Sequence, residues 1–189
     1  MDRAIFAGGC FWCTEVFFLA IEGVTEVTPG YIGGEIEYPT YEMICTGSTG
    51  HVEAIEIIYD PKIVKYLDLL KVFFDTHDPT QVDGQGNDIG SQYLSAIYFT
   101  NDHQKVEAAD YIAALMSNYN SPIITKLYSE KPFYKAEDYH KNYFNNNRSQ
   151  PYCQIIIEPK YKKFINKYND LLIKNILKSI NVAMRAVKT

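Results

Sequence analysis

The sequence predicts an α+β domain of two layers. Two observations carry this: strand-like and helix-like hydrophobic patterns are intermixed along the 189 residues, and 47% of the residues are hydrophobic, enough for one real core. Long polar, glycine-bearing loops between the patterned segments leave room for a site.

Arg3 to Ala7 is a short apolar run that ends in Gly8-Gly9 and reads as a strand. Cys10 to Ile21 reads as a helix, with Phe11, Val16, Phe17 and Ala20 among its apolar positions and Gly23 as its stop. Val24 to Thr28 is a further strand, followed by the turn-rich stretch Pro29 to Gly34 and by loops over Tyr38 to Tyr41 and Gly47 to Gly50. His51 to Tyr59 alternates like a strand and is closed by Asp60-Pro61. Val64, Leu67, Leu70 and Phe74 give Ile63 to Asp75 a helical spacing. Asp78 to Gly90 is a polar loop, Tyr93 to Phe99 a strand, and Asn101 or Asp102 caps a helix that runs to about Tyr119. Ile123 to Leu127 reads as a strand, Ala136 to Phe144 as a short helix, and Cys153 to Ile157 as a strand bounded by Pro159. Ile165, Tyr168, Leu172, Ile176, Ile180, Ala183 and Val187 form one apolar stripe of a C-terminal helix.

Charge excludes some functions. From Lys160 onward there are eight Lys or Arg and one acid, a net of +7, so the preceding residues carry −12 of the total of −5. An acidic body is not built to neutralise nucleic-acid phosphates, and the basic tail reads as a solvated helix face packed on the domain. No apolar run approaches the ~20 residues of a membrane span. The opening Met1 to Ala7 is interrupted by Gly8-Gly9 too early for a signal peptide. The expectation is a cytoplasmic monomer without nucleic-acid or membrane partners. Four cysteines in a reducing compartment are catalytic, metal-binding or buried rather than a disulfide framework.

Gly8-Gly9-Cys10-Phe11-Trp12-Cys13 lies between a strand and a helix. A thiol there meets the positive end of the helix dipole, so Cys10 is expected to have a lowered pKa and to act as a nucleophile. Phe11 and Trp12, the only tryptophan, can wall the site. Cys10 and Cys13 also form a Cys-x-x-Cys pair with three readings: a thioredoxin-like dithiol, half of a zinc site, or a nucleophile with a neighbouring thiol that resolves it. The single pair and the scattered His51, His77, His103 and His140 argue against zinc, and no metal is expected. Period-two alternation puts Glu53 on one face with Ile55, Ile57 and Tyr59. On a buried face such a carboxyl would stay protonated and act as a general acid, whereas at a strand edge it would be a solvated glutamate. Tyr41 and Tyr93 stand in segments without an obvious packing role. Gly84-Gln85-Gly86 resembles the start of a nucleotide loop, but the third glycine is misplaced and no strand precedes it.

Four ordered blocks make the chain resemble the A-type peptide methionine sulfoxide reductases, which act on the S epimer of the sulfoxide. They are Gly9-Cys10-Phe11-Trp12 with Glu15; Pro39-Thr40-Tyr41 with Thr46 to Ala54; His77-Asp78-Pro79-Thr80 with Gln85 to Tyr93; and Ala136 to His140. The resemblance spans about Ala4 to Phe164. It implies a catalytic domain over 1–164 with a ferredoxin-like α/β plait and long coils, to which the basic helix of 165–189 is appended. It implies Cys10 as the nucleophile, Glu53 as the acid, Tyr41 and Tyr93 as hydrogen-bond donors to the sulfoxide oxygen, Asp88 as an ordering residue, and Phe11 and Trp12 as the methyl pocket. Attack on the sulfoxide leaves a Cys10 sulfenic acid; a second thiol condenses with it, and thioredoxin, without any bound cofactor, reduces the disulfide. The substrate is methionine sulfoxide, free or in proteins. Pro151-Tyr152-Cys153 aligns with a recycling cysteine of the family, so Cys153 is the family-based resolving thiol and Cys13 the local one. A disulfide between positions i and i+3 of a regular helix demands distortion. Cys45 reads as structural. A general Cys-x-x-Cys thiol–disulfide oxidoreductase is the alternative.

Overall fold

Residues 1–174 are described by a computed structural model. Strand β1 (Asp2–Gly8) leads into helix α1 (Phe11–Leu19), strand β2 (Val24–Ile32), the short helix α2 (Tyr41–Cys45), strand β3 (Val52–Tyr59) and helix α3 (Tyr66–Thr76). The two-residue strands β4 (Gly84–Gln85) and β5 (Asp88–Ile89) make a small hairpin in the polar loop. Then come β6 (Ser95–Phe99), α4 (Asp102–Leu115), β7 (Lys126–Ser129), β8 (Phe133–Lys135), α5 (Tyr143–Asn146) and α6 (Glu158–Lys167).

Six strands form one sheet in the order β7-β6-β1-β3-β2-β8, in which only the β6–β7 pair is parallel. Alternation along β1 divides the core. Ala4 and Phe6 join Ile55, Ile57, Tyr59 and Ile97 beneath α1 and α3, while Ile5 and Ala7 join Val52, Ala54 and Ala96 on the opposite face. Phe6, Phe73 and Phe18 fill the centre of the helical side, with Phe6 stacked 4.9 Å from Phe73. Asn101 caps α4 as expected, its side chain accepting the Gln104 N–H at 2.9 Å. Among the described residues no helix is long and apolar enough to cross a membrane.

Several expectations are corrected. The turn-rich stretch from Pro29 continues β2 to Ile32, because β3 pairs with it through Val52 and β8 adds at its other edge. Gly30 permits that addition: a Cβ there would stand 2.4 Å from the Phe133 ring and 2.5 Å from the Tyr134 carbonyl oxygen. Cys153–Ile157 is a π-helical turn leading into α6, not a strand. A strand would put Cys153, Ile155 and Ile157 on one face, yet Cys153 and Ile157 are fully buried while Ile155 is 70% exposed, the i, i+4 pattern of a helix. The strand expected over Ile123 to Leu127 starts at Lys126 and runs to Ser129. Ala136 to Phe144 is not one helix; a 3₁₀ turn (Asp138–His140) and a left-handed Asn142 precede α5. The tail helix breaks after Lys167, and α6 crosses the 164/165 boundary. Leu172 is extended, fully buried and bridged to Ile21, with the Ile173 N–H donating to the Ala20 carbonyl at 3.0 Å. The stripe from Ile176 to Val187 lies outside the described residues.

Candidate active site

Cys10 occupies the N-cap of α1, its carbonyl accepting the Cys13 and Thr14 N–H groups at 3.0 and 3.3 Å. The turn from β1 depends on Gly9, whose φ of +90° disfavours any side chain and whose missing Cβ leaves room for the Gln85 side chain at 2.6 Å. Gln85 is itself pinned, accepting the Asp78 N–H at 2.9 Å and donating to the Asp78 carbonyl at 3.0 Å. The polar loop thus packs against the back of the cysteine turn.

Glu53 comes to the same helix end from the sheet. It is 2% exposed, and its Oε2 accepts the Phe11 N–H, one of the unpaired donors that open α1, at 3.0 Å. That bond favours the carboxylate, but burial outweighs it. With the Asp88 and Cys13 charges adding, the Glu53 pKa is raised to about 8, so the carboxyl is protonated at neutral pH.

The same burial corrects the expectation for Cys10. Cys10 is 8% exposed and its thiol pKa is pushed well above the ordinary value, by burial first, then by the Cys13 sulfur and the Glu53 charge. The helix N-terminus is there; desolvation overrides it. The pair is asymmetric: a hydrogen bond from Cys10 lowers the Cys13 pKa against burial. Cys13 Sγ also lies 3.5 Å from the Tyr152 hydroxyl, which donates to Asp88 Oδ2 at 2.6 Å.

The remaining residues converge here too. Burial raises the Tyr41 and Tyr93 hydroxyls above their ordinary values; Cys45 and then Glu53 add to this at Tyr41, Glu53 and then Cys10 at Tyr93. Phe11 is buried 5.8 Å from the Tyr31 ring and 4.9 Å from the His140 ring. Trp12 lies flat on Tyr143, ring centroids 3.7 Å apart and planes 6° apart, and donates its indole N–H to His140 Nδ1 at 2.9 Å. Cys153 is buried, its thiol raised by burial and by the Cys13 charge, which brings it into the electrostatic range of Cys13. Cys45, expected as structural, is exposed at the end of α2. Among the described residues no group of three or more His, Cys, Asp or Glu could hold a metal ion.

Sequence reasoning missed a supporting ring. His140 is fully buried, and burial lowers its pKa, so it is neutral; Nε2 carries the proton, with Glu137 Oε2 3.7 Å away and no hydrogen-bond partner among the described residues. Glu137 accepts the Tyr31 hydroxyl at 2.9 Å and the Tyr41 N–H at 2.8 Å, tying β2 and α2 together beneath the site. Tyr152 joins Cys13 to Asp88. Ala136 to His140 and Tyr152 stand in segments quoted above, but nothing local gives them a role, because their partners Trp12, Tyr31 and Asp88 lie 128, 106 and 64 positions away.

A buried thiol beside a protonated carboxyl, walled by aromatic rings, is the equipment for proton-coupled attack on a small polar, apolar-flanked group. Comparison with known proteins places the chain in a family. The family model "Peptide methionine sulfoxide reductase" matches residues 2–171. A relative from Acinetobacter baumannii (strain SDF), "Peptide methionine sulfoxide reductase MsrA", is 48% identical over 172 residues, covering 91% of this chain and 98% of its own. The reduced form of Mxr1 from Saccharomyces cerevisiae superposes with a TM-score of 0.74 at 30% identity, covering 80% of this chain and 88% of that one. The same yeast protein in complex with Trx2 matches in fold, with a TM-score of 0.52 at 22% identity over 75% and 84% of the two chains. With the thiol, the acid and the aromatic wall assembled at one helix end and the family pattern running through nearly all of its described length, this chain belongs to the peptide methionine sulfoxide reductases.

Proposed function

We propose that this protein, a cytoplasmic monomer, reduces the S epimer of methionine sulfoxide, free or in proteins, through a Cys10 sulfenic acid, and is regenerated by thioredoxin. The observation that carries the reading is the meeting of Cys10 with Glu53 at the α1 N-terminus, where Glu53 holds its proton at neutral pH. A sulfoxide oxygen leaves poorly until protonated. Glu53 supplies that proton as the Cys10 sulfur attacks, while Tyr41 and Tyr93 hydrogen-bond the oxygen. The protonated oxygen then passes from the methionine sulfur to the Cys10 sulfur, within the adduct or by way of the water it leaves as. The methionine S–O bond and the transient S–S bond break, a Cys10 S–O bond forms, and methionine departs with Cys10 left as S–OH. The pyramidal sulfur explains the choice of epimer. With oxygen toward Glu53, methyl toward Phe11 and Trp12, and the chain toward solvent, only one hand presents its back to Cys10.

Condensation of the sulfenic acid with a second thiol releases water and forms a disulfide. Cys13 is the first candidate. Cys10 is the N-cap, with φ −55° and ψ 123°, rather than a residue of the regular helix, which favours an i, i+3 bridge there over one inside a helical turn. Cys153 can then take over the disulfide from Cys13. An external dithiol reduces it by exchange, and the yeast complex with Trx2 supports thioredoxin in that role. Asp88 orders the site through Tyr152. The finer fold reading, a ferredoxin-like plait, is supported by the succession β1-α1-β2-β3-α3-β6 and the central order β6-β1-β3-β2.

Both epimers of a peptidyl methionine sulfoxide, mixed with the protein and dithiothreitol, test the proposal. Methionine from the S epimer alone is expected, and none from it would refute the reading. A parallel insulin-reduction assay addresses general dithiol activity, which the burial of Cys10 disfavours.

A further inference from the structure

We propose that Glu15 is a positioning residue for the substrate wall: by accepting the backbone N–H groups of Asn142 and Tyr143, its buried carboxylate seats the Tyr143 ring against Trp12. The inference rests on the proposed role of Trp12 in holding the substrate's methyl group, and deepens it.

Glu15 stands on α1 three residues after Trp12 and is 1% exposed. A carboxyl there, next in sequence to the core residues Val16, Phe17 and Phe18, is costly unless it is paired. Its Oε1 accepts the Asn142 N–H at 2.7 Å and its Oε2 the Tyr143 N–H at 3.3 Å. Asn142 has left-handed dihedrals, φ 53° and ψ 37°, a conformation that persists where surrounding contacts impose it. The turn aims two consecutive N–H groups at one carboxylate and starts α5 with Tyr143 under the indole. Trp12 is then fixed on its face by Tyr143 and at its edge by His140. Glu15 is not among the groups around the Cys10 sulfur, so it acts through Tyr143.

The geometry has a pH consequence. An ionised Glu15 accepts both N–H groups, whereas a protonated one turns a hydroxyl donor toward one of them. Burial, only partly offset by those two bonds and by the Lys141 charge, raises its pKa to about 7. Lys141 is paired with Glu26 of β2 at 3.3 Å, His140 on the adjoining turn is neutral, and Cys13 is the other titratable group of α1. The seat therefore loosens as pH falls through about 7.

Trp12 is the only tryptophan, so its emission reports this wall alone. Emission of the wild type, of Glu15→Gln and of Glu53→Gln is followed from pH 5.5 to 8.5, and kcat and KM for a peptidyl methionine sulfoxide are measured in parallel. Expected are an emission transition near pH 7 in the wild type, its loss in Glu15→Gln, its survival in Glu53→Gln, and a KM raised about tenfold in Glu15→Gln with kcat within about twofold. Tyr143→Leu should raise KM similarly, and the double variant should be no worse than either single one. An unchanged KM and emission profile in folded Glu15→Gln overturns the inference. Should that variant not fold, the absence of a wild-type transition that survives in Glu53→Gln overturns it equally. Emission needs no turnover, so a wild type inactive on the sulfoxide refutes the proposed function while the emission arm still decides the clamp.

Discussion

Replacing Glu53 by glutamine should make the protein progressively more stable than the wild type as pH rises, at the same time as it removes the proposed proton donor. The carboxyl is 2% exposed and its pKa is about 8 instead of the ordinary 4.5. The sign follows from proton counting. Between about pH 4.5 and 8 the folded protein keeps a proton that the unfolded chain has lost, so folding is progressively disfavoured as pH rises across this window and not further above it. Each pH unit is worth about 1.4 kcal/mol, so the cost is about 3 kcal/mol at pH 7 and about 5 kcal/mol at pH 8 and above. Glutamine does not ionise and still offers Oε1 to the Phe11 N–H. Its second amide hydrogen brings a pH-independent cost of about 1–2 kcal/mol if left unpaired. The signature is therefore a slope rather than an offset. Urea unfolding followed by circular dichroism at pH 5, 6, 7 and 8 should show the stability of Glu53→Gln gaining on the wild type by about 1 kcal/mol per pH unit. Glu15 and His77, the latter lowered to about 4 by burial, titrate in both proteins and cancel in the difference. Parallel stability–pH curves for the two proteins would refute the picture of Glu53 as a buried acid.

Three further outcomes follow. Cys13→Ser should still release one methionine per protein from the sulfoxide but leave a sulfenic acid on Cys10 that dimedone traps; mass spectrometry showing an unmodified Cys10 would remove Cys13 from the resolving step. Gly9→Ala should cost ~2–4 kcal/mol in urea unfolding, since φ is +90° and the new Cβ meets the pinned Gln85 side chain at 2.6 Å, and turnover should fall as the Cys10 turn shifts. Leu172→Ala should cost ~2–4 kcal/mol, because this residue is 1% exposed and part of the core beside Ile21; an unchanged denaturation midpoint would put the chain beyond α6 outside the cooperative fold.

What could be read from the sequence was local. Glu53 was legible because a strand has period two, and its face also carries Ile55 and Ile57. The Cys10 turn was legible because glycine at φ +90° is a backbone requirement. Cys153–Ile157 misled because a β-branched run has strand propensity, while the burial of Cys153 and Ile157 with Ile155 outside is a tertiary choice. The Tyr152–Asp88 bond, the Trp12–His140 bond and the two N–H groups on Glu15 join residues 64 to 128 positions apart, so no local pattern announced them.

The Cys10 pKa is the instructive reversal, because the site makes two demands that oppose each other. A helix N-terminus favours a thiolate, and the low dielectric that keeps Glu53 protonated disfavours one. Burial dominates at both groups, so at neutral pH Glu53 holds its proton and so does Cys10. That state suits a sulfoxide. Reduction consumes a proton at oxygen, and in the proposed reaction the substrate sulfur becomes cationic as Glu53 delivers it. That charge is the partner that stabilises a Cys10 thiolate the empty pocket does not favour. A site tuned for a free thiolate would hold Cys10 low, and its negative charge would raise the Glu53 carboxyl, 43 residues along the chain, still more. In the proposed reaction the nucleophile is restrained until the substrate supplies the opposite charge, and Cys13, whose thiol is lowered, stands three residues away as the proposed partner of the sulfenic acid.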